Sequence, residues 1–135
     1  MIELLIVVAI IGIIAAIAVP NLLQSKAAAN EASAISAIRN IVTSHITYSA
    51  TLGAGSYAAD LDVLQTAKLI DTVLGSGTKD GYLFVSSGGA LAFTITAAPS
   101  SPGSTGTRYF FSDESGVIRY STSGIANNSS SPLGQ

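Results

Sequence analysis

Residues 1–20 read MIELLIVVAIIGIIAAIAVP, and one charged side chain, Glu3, stands at the head of this apolar run. A helix rises about 1.5 Å per residue, so residues 1–19 would extend over roughly 28 Å, close to the ~30 Å hydrocarbon thickness of a bilayer. The run therefore predicts a membrane-length helix. An ionised carboxylate in hydrocarbon is costly unless it is paired. The charge of Glu3 therefore calls for a cationic partner.

The nearest cation downstream of Glu3 is Lys26. Along a helix the two residues lie roughly 35 Å apart, too far to pair within one chain. The partner is therefore expected from another molecule or from a terminal amine beside Glu3. A removed secretory signal peptide is the competing interpretation of the run, but such a peptide has a basic segment before its apolar core, and no Lys or Arg precedes the run here.

Helical character continues after Pro20, as far as about residue 51. Alanines at 27–29, 32, 34 and 37 are strong helix formers. The apolar pattern becomes one-sided, which predicts a face covered by a globular domain. The predicted buried stripe is Ile35, Ile38, Val42, Ile46 and Ser49, and the residues predicted to lie off it are Glu31, Arg39 and Asn40.

Two residues weaken the helical ladder of the apolar run. Pro20 lacks a backbone donor, and Gly12 lowers helix propensity. We therefore expect bending or local unwinding between Gly12 and Pro20.

The rest of the chain predicts one small head on this helix. Residues 53–80 form a connection with a short amphipathic helix at 58–69 that is capped near Ala59 and Asp60. Four strands are predicted at residues 82–86, 91–97, 107–112 and 117–121. The fold class is α+β: a long N-terminal helix whose C-terminal half packs against a small four-stranded antiparallel sheet. Its expected inward residues are Leu83, Val85, Phe93, Ile95, Phe110 and Ile118, or the alternate set in any strand whose register differs.

The predicted organisation has five segments. They are a hydrophobic membrane or filament-core helix at 1–25, its amphipathic continuation at 26–52, the connection at 53–80, the sheet at 81–121 and an exposed C-terminal tail at 122–135.

The run from Ile2 to Asn21, with Glu3 at its head, resembles the amino-terminal signature of type IV pilins and of their relatives, the pseudopilins of type II secretion. The resemblance covers about the first quarter of the chain in detail. Members of the family are cut by a prepilin peptidase just before a Phe that becomes N-methylated, and that Phe and the next residue would stand immediately before Met1. Many pilins also close a C-terminal loop with a disulfide, whereas this chain contains no cysteine.

The resemblance implies that Glu3 neutralises the terminal amine of a neighbouring subunit as each subunit leaves the membrane and enters a filament. It also implies that the apolar side chains pack in the filament core. These are Leu4, Leu5, Ile6, Val7, Val8, Ile10, Ile11, Ile13, Ile14, Ile17 and Val19.

Other candidate sites are weaker. His45 is the one histidine in a chain without cysteine, so we expect a helix-surface or interface residue, with no metal, no cofactor and no catalysis. Solvated turn and cap roles are expected for the carboxylates, although some pseudopilins carry a calcium loop. These are Asp60, Asp62, Asp80, Asp113 and Glu114. Asn127, Asn128 and Ser129 form overlapping Asn-x-Ser patterns and are candidate glycosylation residues.

Composition favours a structural role. Of 135 residues, 48% are hydrophobic and 10% are charged, and the net charge of −2 gives no reason to expect a nucleic-acid site. The expected function is a subunit that polymerises into a type IV pilus for adhesion, twitching motility or DNA uptake. Its expected partners are further copies of itself, the prepilin peptidase and the assembly machinery, and it would reside in the inner membrane before joining a surface filament. The alternatives are a major pseudopilin and a monomeric membrane-anchored binding module.

Overall fold

The computed structural model of the chain describes residues 1–134. Within them, three helices come first along the chain and six strands follow. The helices are α1 (Ile2–Thr51), α2 (Leu61–Thr66) and α3 (Thr72–Gly75); the strands are β1 (Thr78–Lys79), β2 (Tyr82–Gly88), β3 (Phe93–Pro99), β4 (Tyr109–Asp113), β5 (Arg119–Ser121) and β6 (Ser131–Pro132).

Helix α1 is continuous through Gly12 and Pro20 in the single chain, and the expected bending or local unwinding between them stays a prediction. Proline supplies no N–H to the helical ladder. Beside Pro20, Asn21 Nδ2 donates to the carbonyl of Ile17 at 3.0 Å, within the same turn of the helix. The long run of apolar and alanine residues around this point keeps the helix formed.

The strands form one sheet in the order β1-β2-β3-β4-β5-β6, and every neighbouring pair is antiparallel. The α+β class is confirmed, but the sheet has six strands rather than four. The additional strands, β1 and β6, are two residues each and lie at the two edges. Strands of two residues have no alternation to detect, which is why the sequence did not predict them.

The C-terminal half of α1 packs on one face of the sheet, as predicted, but the buried face is rotated from the predicted stripe. Ile38 and Val42 are buried, whereas Ile46 is 51% exposed. The buried face is Glu31, Ala34, Ala37, Ile38, Ile41, Val42, Ser44 and His45. The prediction followed the large aliphatic side chains, but alanines, a serine and a histidine also lie on the face that meets the sheet.

Strand β2 turns the opposite face inward from the one first expected. Tyr82, Phe84 and Ser86 are buried, while Leu83 and Val85 are 45% and 63% exposed. Both alternating sets of β2 contain apolar residues, and the set with the two aromatic rings buries more surface. The other expected core residues, Phe93, Ile95, Phe110 and Ile118, are buried.

The connection and the tail differ from expectation in detail. Helix α2 is shorter than predicted, but its cap is confirmed, because the Asp60 side chain accepts from Val63 N at 3.0 Å. In the tail, most residues are exposed, yet Ala126 is buried and β6 pairs with β5. Gln135 lies outside the described residues.

Candidate functional site

The exposed half of α1, residues 2–26, is not covered by the rest of the molecule, although Leu23 and Gln24 border a hollow beside Gly103 and Thr107. Every residue in it is solvent-exposed. The most apolar window of α1 has a mean hydropathy of 3.1 and is 0% buried, so α1 is long and apolar enough to cross a membrane. Keeping apolar surface in water costs about 25 cal/mol per Å². This half of the helix therefore requires lipid or protein around it.

The residues expected to form a filament core all lie on this exposed half. Each of them is more than half exposed in the single chain. They are distributed all round the helix, so their surroundings must also be apolar on all sides. They are Leu4, Leu5, Ile6, Val7, Val8, Ile10, Ile11, Ile13, Ile14, Ile17 and Val19.

Glu3 lies in the first turn of α1, where the helix dipole favours a negative charge. Its Oε2 is 3.3 Å from the amino group of Met1, and both groups are fully solvent-exposed. Within residues 1–134, Glu3 pairs with no side chain. Because the pair of Met1 and Glu3 is open to solvent, the carboxylate of Glu3 can also be reached by a cation from outside the molecule.

Gly12 leaves a shallow notch on the exposed half. A side chain built at this position would meet nothing within 4 Å. Small residues on apolar helices let a second helix approach closely. Gly12 is therefore a place where another helix can pack against α1.

Glu31 marks the junction between the exposed half of α1 and the head, by which we mean residues 27–134. It is only 7% exposed. One oxygen accepts from Thr107 N at 2.8 Å, Thr107 Oγ1 at 3.0 Å and Arg108 N at 3.2 Å, and the other accepts from Arg108 Nε at 2.8 Å. Burial alone would raise the pKa of Glu31, but these hydrogen bonds outweigh it and the pKa is lowered.

Glu31 was expected to lie off the buried face, so its burial is a correction. Two neighbours strengthen the same junction: Asn30 Nδ2 donates to Thr105 O at 3.0 Å, and Ser33 donates to the carboxylate of Asp80. The partners come from 47 to 77 residues away in the chain. No local sequence signal could have identified them.

His45 is fully buried, which corrects the expectation of a surface or interface histidine. Its Nε2 is 2.6 Å from Ser86 Oγ, and its ring stacks on Phe93 with centroids 4.3 Å apart. Nδ1 has no hydrogen-bond partner within residues 1–134. Burial lowers the pKa of His45 to about 4, so the ring is neutral at pH 7. Ser86 is buried with it and is not accessible to a substrate in this conformation.

The carboxylates considered for calcium lie at caps and turns. Asp60 caps α2, and Asp113 Oδ1 accepts from Ser115 N at 3.0 Å in the turn after β4. Within residues 1–134, no group of three or more His, Cys, Asp or Glu side chains could hold a metal ion.

The candidate glycosylation residues are exposed in the segment before β6. Asn127 Oδ1 accepts from Ser129 N at 2.9 Å, which forms a local turn. Asn128 and Ser129 are accessible on this turn.

The fold and the exposed half of α1 together define a class: an α+β head on a membrane-length helix, compatible with a pilin-like or membrane-anchored subunit. No model of a known protein family matches the sequence, and none of the curated proteins is significantly similar to it.

Proposed function

We propose that this protein is a structural subunit that polymerises through α1 into a filament of the type IV pilus class. The observation that carries the proposal is the exposed half of α1, which is apolar on all sides and carries one carboxylate in its first turn. The head covers only the C-terminal half of the helix. The uncovered half is the surface through which copies assemble.

Two apolar environments surround the exposed half of α1, one before assembly and one after it. Lipid covers residues 2–26 before assembly, since the helix has the length and hydropathy of a membrane span. In the filament, the same residues of neighbouring copies replace the lipid. The protein is therefore an inner-membrane protein first and part of a surface filament afterwards.

Glu3 sets the register between copies. An acidic side chain in the apolar run of a simple membrane anchor would only oppose insertion, because the charge is costly in hydrocarbon. Paired with the terminal amine of a neighbouring copy, the charge recovers part of its desolvation cost, and a misplaced neighbour leaves both charges unpaired. This pairing favours one axial arrangement of the copies.

The role is mechanical rather than enzymatic. The partners are other copies, a prepilin peptidase and the assembly machinery, and the filament serves adhesion, twitching motility or DNA uptake. The buried His45–Ser86 pair stabilises the head and takes no part in catalysis.

The test compares Glu3→Ala with Glu114→Ala, a matched variant whose carboxylate is exposed in a turn of the head. Both variants should reach the membrane fraction in normal amounts. Filaments sheared from cells should be sharply reduced for Glu3→Ala and unchanged for Glu114→Ala. Normal filament yield from Glu3→Ala would contradict the mechanism, and a wild-type chain that stays monomeric in the membrane would show an anchored binding module instead.

A further inference from the structure

The head carries a shallow groove beside the C-terminal end of α1, with a volume of about 450 Å³. We call it the distal groove. Tyr48, Val63 and Ala67 are half-buried in it, and Leu52 is exposed at the end of the helix. Its lining residues are Tyr48, Leu52, Asp60, Asp62, Val63, Thr66 and Ala67.

Two carboxylates add negative charge to this apolar surface. Asp60 is engaged as the N-cap of α2. Asp62, in the first turn of the same helix, is exposed and has no side-chain hydrogen bond or ion pair among residues 1–134. The distal groove therefore presents apolar walls and one uncompensated carboxylate, which suits an apolar partner that carries a cation.

The exposed half of α1 carries a complementary surface. Lys26 is its single basic side chain, and Lys26 makes no ion pair within the described part of the chain. Leu22 and Leu23 precede Lys26 by four and three residues, which places all three on one face of the helix. Both leucines are exposed.

The two surfaces cannot meet within one molecule. Lys26 and Tyr48 belong to the same continuous helix, and 22 residues separate them by roughly 33 Å along its axis. A contact between them therefore requires a second copy, displaced lengthwise by about that distance.

We propose that the face formed by Leu22, Leu23 and Lys26 of one copy docks into the distal groove of a second copy, with Lys26 paired to Asp62. The inference rests on the proposed polymerisation and identifies a contact that joins copies lengthwise. The two surfaces are different, so the contact is head-to-tail. Head-to-tail contacts build open helical polymers when the rotation between copies does not close a ring.

Arg39 provides a matched comparison on the same helix. It is also an exposed cation, but its neighbours on the exposed face, Ser36 and Thr43, are polar. Arg39 has no exposed leucines beside it on the helix as Lys26 has, and it lines a hollow on its own head with Val117, Ile118 and Leu133. Reversal of its charge should therefore leave assembly unchanged.

The first test is a charge exchange in the full-length chain. Lys26→Glu should lower the yield of sheared filaments about tenfold, as expected when a rim-to-groove charge pair becomes repulsive. The double variant Lys26→Glu/Asp62→Lys should restore the yield, and Arg39→Glu should not change it. Lys26 and Asp62 are exposed, and neither makes an ion pair within residues 1–134. Circular dichroism should therefore show normal folding for all variants.

The second test uses the absence of cysteine from the sequence. A chain with both Lys26→Cys and Asp62→Cys, treated in intact filaments with a short bismaleimide, should give a ladder of dimers, trimers and longer species. Each single variant should give no ladder. Normal filaments from Lys26→Glu, or no ladder from the double-cysteine filaments, would overturn the docking contact. If Glu3→Ala still loses its filaments while either of those results is obtained, only the docking contact is wrong and the proposed polymerisation stands. Failure of the docking contact can thus be told apart from failure of the proposed polymerisation.

Discussion

Glu31 and Arg108, 77 residues apart in the chain, are joined by a 2.8 Å ion pair at the level where the head begins to cover α1. Three further hydrogen bonds reach the same carboxylate from Thr107 and the backbone of Arg108. The loop between β3 and β4 is thereby tied to the middle of the long helix. This junction transmits load between the filament core and the head in the proposed assembly.

Replacement of Glu31 should weaken the head measurably. Glu31→Gln removes the charge and leaves Arg108 without its partner, so we expect a loss of about 2 kcal/mol in the free energy of unfolding. Urea unfolding of the full chain in detergent micelles measures it. Glu114→Gln is the control and should change the free energy by less than about 0.5 kcal/mol. A similarly small effect of Glu31→Gln would contradict a structural role for the pair.

Acid should destabilise the head through His45. The folded pKa of His45 is about 4 and its ordinary value is 6.5, so the unfolded chain binds a proton between these values while the folded chain does not. The contribution of His45 to the free energy of unfolding is fully present above pH 6.5. It falls as the pH drops toward 4, by about 3 kcal/mol in total.

The variant His45→Gln should remove this dependence between pH 4.5 and 6.5. Glu31 also has a lowered pKa, and its contribution is lost only as the pH falls below its ordinary value of 4.5. Unfolding free energies measured across the window therefore isolate the histidine. If the free energy of unfolding of His45→Gln still falls with pH as steeply as that of the wild type, another group causes the acid destabilisation.

The face of β2 can be checked by a pair of adjacent substitutions. Phe84→Ala removes a buried ring and should cost about 3 kcal/mol, whereas Leu83→Ala on the exposed face should cost less than about 1 kcal/mol. Thermal or urea unfolding distinguishes them. Equal losses would mean that both faces of β2 are covered.

Residues 12–20 should change conformation on assembly. The single chain is helical there, with Gly12 and Pro20 as the weakest points of the ladder. Packing against neighbours can compensate a local loss of helical bonds, so we expect an interrupted helix in the filament. A filament reconstruction with a continuous, fully hydrogen-bonded helix through these residues would contradict this prediction.

Local patterns explain what the sequence predicted. The apolar run, the alanine-rich continuation and the cap at Asp60 each depend on residues close together in the chain, and they predicted α1, the α+β class and the cap of α2. The position of Glu3 at the head of the run is equally local. The length and apolar character of the exposed half of α1 could therefore be predicted from the sequence.

Long-range pairings explain what the sequence missed. The burial of Glu31 depends on Arg108, and the burial of His45 depends on Ser86 and Phe93. Glu31 and His45 are polar residues of α1, and their own turns of the helix give no sign that they are buried. The rotated face of α1 follows from these partners, since a polar side chain can line a buried face only where the sheet supplies its bonds.

The most direct test of the account is an electron cryo-microscopy reconstruction of the assembled filament at side-chain resolution. We predict that the carboxylate of Glu3 lies within about 4 Å of the terminal amine of a neighbouring copy, inside the apolar core. A Glu3 side chain that faces water, or that stands in the core with no cation from another copy beside it, would contradict the proposed polymerisation.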